Sequence, residues 1–406
     1  MQLFNTATGM VELFAVRDNT VSMYVCGVTP YDTTHIGHGF TYVSFDTLAR
    51  YLAHLGHDVR YVQNVTDIDD DILKRAARDG VAWDVLGREQ TTIYLRDMAA
   101  LNVTSPELYV RATHEVPSMV TIVSTLLERG DAYERDGSVY FHYAAAPDLG
   151  ERLAHLDYAA MLETANRNGN VPADPLKVDP LDFVLWQRSK PGEPSWESPW
   201  GAGRPGWHIE CSAIAVTYLG QQIDIHGGGS DLIFPHHSCE IAQAEHSTGL
   251  VPFVRCWMHT AMVCQDGEKM SKSLGNVTFV RDVLRTHHPD ALRLCLLDHH
   301  YRIVWEYQTS DPARFDAPSA RLREAASAPG GSHGRLDVTP QRTRFFNAMA
   351  DDLHTPAAVA AIVETGEAIL HACGTHGHVE EAQATLREMA SVLGLWLDTT
   401  PAVSLT

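Results

Sequence analysis

Val21-Ser-Met-Tyr-Val-Cys-Gly-Val28 leads through a turn at Thr29-Pro30-Tyr31 into His35-Ile-Gly-His38-Gly39. The first of these stretches is short, mostly apolar and carries a glycine near its end, which reads as a buried strand. From 41 to 55 the apolar positions fall at helical spacing: Val43, Phe45, Leu48, Tyr51, Leu52 and Leu55. Residues 59–65 read as a second strand. A further helix begins between 67 and 78, with several acids in its first turn, where the helix dipole favours negative charge. Strand, loop, helix, strand, helix predicts a parallel doubly wound sheet and hence an α/β fold.

Beyond this core the character changes. A helix at about 115–129 and a hairpin-like stretch at Ser138-Val-Tyr-Phe141 precede a loop-rich segment, 166–206, that holds many of the prolines and glycines. We read the region as an insertion into the sheet domain. Residues 207–265 return to strand-and-helix alternation, with a strand-like run at 254–262. A polar, Gly- and Ser-rich break from Ala325 to Gly334 reads as a linker. The tail from about 340 to 397 is rich in alanine and apolar at helical spacing, which predicts a small helical bundle. The expected division is a split sheet domain (1–112 and 204–300), an inserted domain (113–203), a junction (301–335) and a bundle (336–398). There is no internal repeat and no heptad run.

The 406 residues are 45% hydrophobic and 20% charged, which are globular proportions and exclude wholesale disorder. With 31 basic and 51 acidic residues the net charge is −20. That excludes a general nucleic-acid coat or a binder of anionic membrane, so any nucleic-acid contact needs a local basic patch. No apolar run approaches the roughly 18–20 residues that cross a bilayer. The N-terminus lacks the basic-then-apolar pattern of a signal peptide. A soluble cytoplasmic protein is expected. Seven cysteines, an odd and low count, argue against a secreted disulfide scaffold. Most read as small buried apolar residues. Lysine occurs only 5 times against 26 arginines, yet Lys269 and Lys272 stand three positions apart.

Two motifs carry chemistry. His35-Ile-Gly-His38 lies between a strand and a helix, where free N–H groups and the dipole attract an anion. Gly37 lets the backbone approach a ligand, and two imidazoles can donate to phosphoryl oxygens. Alone, two histidines at this spacing are usually ordinary surface residues. Lys269-Met-Ser-Lys272-Ser273 puts two ammonium groups on one short loop, enough to neutralise a triphosphate losing pyrophosphate. Together, about 230 residues apart, the motifs resemble the two signatures of class I aminoacyl-tRNA synthetases. That resemblance implies adenylate formation: an amino-acid carboxylate attacks the α-phosphate of ATP, supplied with Mg²⁺. Lys272 and Lys269, with His35 and His38, would stabilise charge, and positioning would do the rest.

A metal is the third signal. Cys26 sits near the end of the first strand, and Cys211 closes Gly206-Trp-His-Ile-Glu-Cys211. His236 and Glu240 are four apart and share a face if that stretch is helical. Two thiolates, an imidazole and a carboxylate suit Zn²⁺. No Cys-x-x-Cys pair is present, however, and Cys239 and His237 stand close enough to confuse the assignment. The surrounding words, Met23-Tyr-Val-Cys-Gly-Val-Thr29, Asn64-Val-Thr-Asp-Ile-Asp-Asp70, Asp224-Ile-His-Gly-Gly-Gly-Ser-Asp231 and Phe234-Pro-His-His237, resemble cysteinyl-tRNA synthetase from Leu3 to about Leu397. The resemblance implies a Rossmann-like catalytic domain with an inserted domain and a C-terminal helical bundle. It implies one zinc per chain on Cys26, Cys211, His236 and Glu240, binding the substrate thiolate directly. Trp207 and Thr66, with Gly27 and Thr29, would line the cysteine pocket. His226, Gly228 and Asp231 would lie near the adenylate with His35, His38 and Lys272. Asp67, Asp69 and Asp70 read as helix N-terminal acids with ribose-side packing rather than as metal ligands. The partners implied are L-cysteine, ATP and tRNA(Cys), and a monomer is expected.

The resemblance strains at the C-terminus. Such synthetases usually continue into an anticodon-reading domain, whereas this sequence ends at Thr406. From Gly331 onward it holds four arginines, no lysine and nine acids, a poor footprint for RNA. A relative in the mycothiol pathway, which joins cysteine to the amine of glucosaminyl-inositol, resembles the chain in length and motifs. Glu240, Asp224-Ile-His226-Gly-Gly-Gly and Arg111-Ala-Thr-His114 read more like the synthetase, so transfer of cysteine to tRNA(Cys) is the expected function and ligation to the amino sugar the alternative. Asn166-Arg-Asn-Gly-Asn170 followed by Asp174-Pro175 resembles a loop of the ligase. A non-catalytic regulatory paralogue would show a degraded motif, and both signature loops are intact.

Overall fold

The computed structural model of the protein describes residues 1–31, 34–270 and 275–397. Five strands, β1 (Thr20–Val28), β2 (Asp58–Val65), β3 (Leu108–Arg111), β4 (Ile223–Gly229) and β5 (Val254–Thr260), form one parallel sheet in the order β5-β4-β1-β2-β3. The chain winds outward from β1 to β3, then crosses back to add β4 and β5 on the other side of β1. The winding therefore reverses between β1 and β4, and such a switch point opens a crevice at the carboxyl ends of the strands.

Side-chain alternation along β1 decides what faces that crevice. Val21, Met23 and Val25 pack into a core with Phe40, Val43 and Leu48 of α1 (Ile36–His54). Tyr24 and Cys26 point the other way, into a core with Cys211 and Ile214 of α2 (Trp207–Leu219) and Ile241 and Ala244 of α3 (Ser238–Thr248). The alternation thus sets Cys26 on the face that carries Cys211.

The region read as loop-rich, 166–206, is mostly irregular, with two short strands within it. Strands Phe183–Arg188 and Gly203–Pro205 complete a four-stranded antiparallel sheet with Ala132–Arg135 and Ser138–Phe141. Gly203–Pro205 is its edge, where proline costs no ladder hydrogen bond. The stretch read as a linker is ordered at both ends, and residues 328–332 between them carry neither helix nor strand. Ala325 and Ala326 are buried in the helix Asp316–Ser327, and His333–Arg335 pairs with Gly377–His378. Helices Thr339–Ala350, Thr355–Gly374 and Glu380–Leu393 make the bundle with Asp316–Ser327. Helix Thr355–Gly374 has the length and mean apolarity of a membrane span, but Glu364 and Glu367 interrupt its apolar run. Here Ala358, Ile362 and Ile369 pack into the bundle core.

One apolar core runs from α1 through Pro289–Leu297 into the bundle. At this joint the buried Arg293 pairs with Asp46 of α1 and donates to the Leu101 and Leu393 carbonyls. Arg50 Nε and the Thr104 amide also donate to Asp46, each at 2.8 Å.

Candidate active site

The crevice is a cleft of about 1070 Å³. Cys26, Gly27 and Thr29 line it from the end of β1, and His35 and His38 from the start of α1. Trp207 lines it from α2, and Asp231 and Lys269 from the loops after β4 and β5. His35 caps α1: its Nδ1 accepts from the His38 amide at 3.3 Å, and the two rings stack 3.8 Å apart. Both imidazoles therefore stand at a helix N-terminus, where an anion is stabilised. Lys269 Nζ lies 2.8 Å from Asp231 Oδ2. Lys272 lies outside the described residues.

Gly27 shows why β1 and β2 meet so closely here. Its amide donates to Asn64 Oδ1 at 2.7 Å, and a Cβ on it would fall 1.7 Å from the Asn64 carbonyl oxygen. Asn64 Nδ2 in turn donates to Thr66 Oγ1 at 3.1 Å. Thr66 is buried and lies behind the residues lining the cleft.

Below the cleft lies a buried nest of metal-ligand types. Donor atoms of Cys26, Cys211, His236 and Glu240 are all within 4.8 Å of one another. Cys26 Sγ is 3.5 Å from Cys211 Sγ and 3.7 Å from Glu240 Oε1, and His236 Nε2 is 3.2 Å from Glu240 Oε1. Bonds of about 2.3 Å to sulfur and 2.0–2.1 Å to nitrogen or oxygen give a tetrahedron with edges of roughly 3.3–3.8 Å. The donor set and its spacing fit Zn²⁺. Burial pushes both thiols and the Glu240 carboxyl up and the His236 imidazole down, so each donor favours its neutral form in this dry site. A bound cation would reverse that preference for the thiols and the carboxyl and would keep the imidazole neutral.

A second set, Cys26, His226, His237 and Glu240, meets the same distance limit. His226 Nε2 is 2.8 Å from Glu240 Oε2, and His237 Nε2 is 3.3 Å from Cys26 Sγ. His226 and Gly228, read in sequence as near the adenylate, do not line the cleft. His226 is paired in register with Tyr24, so it faces the donor nest below the sheet. Gly228 packs beside the His237 ring, 3.2 Å from where its Cβ would stand.

Sequence reasoning missed the supports of this nest. His208 Nδ1 lies 2.9 Å from His236 Nδ1, so one ring nitrogen of His236 is held while the other faces Glu240. The signal was present: His208 and Cys211 are three apart and share a helix face. The Trp207 ring stacks on His236 at 4.2 Å. His237 Nδ1 lies 2.7 Å from His259 Nε2, and His259 Nδ1 lies 2.7 Å from Thr6 Oγ1. Glu210 lines the cleft although buried, its Oε2 without a hydrogen-bond partner among the described residues. The three acids before the second helix divide their tasks. Asp69 caps Asp70–Asp79, Asp67 accepts from the Thr113 amide and hydroxyl at 3.0 and 2.7 Å, and Asp70 pairs with Arg204.

A switch-point cleft with stacked imidazoles at a helix start and a lysine-bearing loop opposite has the architecture of a class I synthetase. The chain belongs to that family: residues 12–314 match the tRNA synthetases class I (C) catalytic domain and residues 344–398 the DALR domain. It is 47% identical to the L-cysteine:1D-myo-inositol 2-amino-2-deoxy-alpha-D-glucopyranoside ligase of Parafrankia sp. over 97% of this chain and 88% of that one. It is 43% identical to the cysteine–tRNA ligase of Dehalococcoides mccartyi over 98% and 87% respectively. Mycobacterium tuberculosis methionyl-tRNA synthetase in complex with methionyl-adenylate shares the fold, with a TM-score of 0.64 and 16% identity over 92% of this chain and 88% of that one.

Proposed function

We propose that the chain activates L-cysteine with ATP and transfers it to an amine. The observation that carries cysteine is the four-donor nest of Cys26, Cys211, His236 and Glu240 beneath the cleft. Zinc held there would bind a thiolate well and a hydroxyl poorly, which separates cysteine from serine where shape alone would not. His35 and His38, with Lys269 and Lys272, hold the triphosphate. The cysteine carboxylate attacks the α-phosphorus, and pyrophosphate leaves with its charge neutralised by the lysines. Trp207 fixes the His236 ring and walls the amino-acid end of the cleft.

The acceptor reading rests on charge. Of the four arginines after Gly331, three are tied to glutamates: Arg335 to Glu381, Arg342 to Glu388 at 2.7 Å and Arg344 to Glu364. A bundle that is net acidic and neutralises its own cations makes a poor phosphate-backbone footprint. A small amine needs none. Its nitrogen attacks the adenylate carbonyl, the C–N bond forms as the C–O bond to phosphate breaks, AMP departs, and the amine proton goes to solvent. The Parafrankia relative, named for an amino-sugar acceptor, supports this reading. The second reading, transfer to tRNA(Cys), is favoured by Glu240 completing the donor set and by the relative named cysteine–tRNA ligase.

Transfer of labelled cysteine, with ATP and Mg²⁺, to glucosaminyl-inositol and separately to bulk tRNA tests the choice. Label on the amino sugar is the expected result. Label on tRNA alone overturns the acceptor and leaves cysteine activation standing.

A further inference from the structure

Two sides of the cleft differ in origin. The ends of the parallel sheet supply the residues that adenylation uses. The inserted domain supplies the other side, including Tyr140, Asn168, Asn170, Asp174, Lys177 and Gln187, and no step of adenylation needs them. At about 1070 Å³ the cleft exceeds the roughly 300–1,000 Å³ of a site for one drug-sized ligand.

The chemistry of the inserted side is specific. Gln187 is half-buried on the strand Phe183–Arg188, and its side-chain amide makes no hydrogen bond among the described residues. Lys177 is half-buried, and its Nζ contacts Asn170 Oδ1 and the Pro180 carbonyl rather than a carboxylate. Asp174 accepts from Tyr140 Oη at 2.9 Å and from the Leu176 amide at 3.0 Å, which leaves lone pairs on both oxygens. An amide, an ammonium and a carboxylate beside the apolar Leu181 and Phe183 offer donors and acceptors together. That mixture suits hydroxyl groups, each of which donates and accepts. It does not suit a polyanion: the arginines on this side, Arg167, Arg188 and Arg204, are tied to Glu163, Asp136 and Asp70.

We propose that the inserted-domain side of the cleft is the acceptor subsite and takes a polyhydroxylated amine, its hydroxyls read by Gln187, Asp174 and Lys177. The proposal rests on the amine-acceptor reading above. Ligation by the full chain is measured with glucosaminyl-inositol as acceptor, alongside cysteine-dependent pyrophosphate exchange. Gln187→Leu and Lys177→Met are each expected to raise the acceptor KM about tenfold or more and to lower the ratio of ligation to exchange accordingly, because a polar site left unpaired rejects its ligand. Asp174→Asn, which keeps an acceptor oxygen, is expected to do less. Exchange activity certifies that a variant has folded. If the wild type ligates the amino sugar and both variants keep the acceptor KM within twofold, the subsite is wrong and the acceptor reading stands. A wild-type chain inert toward the amino sugar overturns both.

Discussion

Cys26 illustrates how one position can be legible and yet under-determined. Its place near a strand end was visible in sequence, and alternation alone put it opposite α1. Its partners were not, because they come from α2 and α3, 185 and 214 positions away. The sequence also left His237 in contention, and the structure brings both imidazoles to the nest. Metal analysis of single variants resolves the ligand set. Cys26→Ser and Cys211→Ser are expected to lower bound zinc from about one per chain to near zero. Both should also cut the preference for cysteine over serine to the ~10–200-fold that a shape-based pocket supplies. His236→Ala should lose zinc likewise. His237→Ala, which removes a neighbour of Cys26 rather than a proposed ligand, should retain most of it. Full zinc in His236→Ala with loss in His237→Ala would transfer the site to the second donor set.

Among the elements, the loop beginning at Lys269 is where sequence carried most and structure adds least, since Lys272 lies outside the described residues. What the structure adds is the 2.8 Å pairing of Lys269 with Asp231. Both groups are partly exposed, so the pair is weak by itself, and an arriving triphosphate can draw the ammonium away. Lys272→Ala is expected to lower the pyrophosphate-exchange kcat by about 10²–10³, the scale of one lost charge-stabilising donor, with the KM for cysteine little changed. Equal kcat would remove Lys272 from the chemistry. β1 was legible because a buried parallel strand reads as a mostly apolar run, and β2 because Val59, Tyr61, Val62 and Val65 are strand-forming residues despite Arg60, Gln63 and Asn64 between them. The inserted sheet was legible only at its Ser138–Phe141 hairpin, because Gly203 and Pro205 signal a turn in sequence and form an edge strand in three dimensions. Ala325 and Ala326 misled in the same way: a small-residue helix end packed in a core has the composition of a linker.

On the scale of the whole molecule, the bundle and the sheet domain share a core, and Arg293 is the polar pin through it. A guanidinium with no exposure to speak of is expensive to bury, and it is tolerated here because Asp46 and two carbonyls satisfy it. Burial pushes the Asp46 carboxyl up, but Arg293 and Arg50 outweigh it, so the group titrates below its ordinary value. The sign of the pH effect follows. A carboxyl depressed in the folded state contributes stability above the unfolded value of about 3.9 and loses it as pH falls through the folded one. Asp46→Asn leaves Arg293 buried without its counter-charge and should cost about 3–5 kcal/mol in urea unfolding near pH 7. The gap between wild type and variant should hold steady above about pH 5 and narrow below pH 4, as the wild-type carboxyl takes up its proton. Because Arg293 reaches Asp46 on α1 and the Leu393 carbonyl at the end of the bundle, sheet-domain and bundle probes should shift together in the variant. Two separate transitions, with only the bundle weakened, would mean that the continuous apolar core does not couple the two and that Arg293 serves the bundle alone.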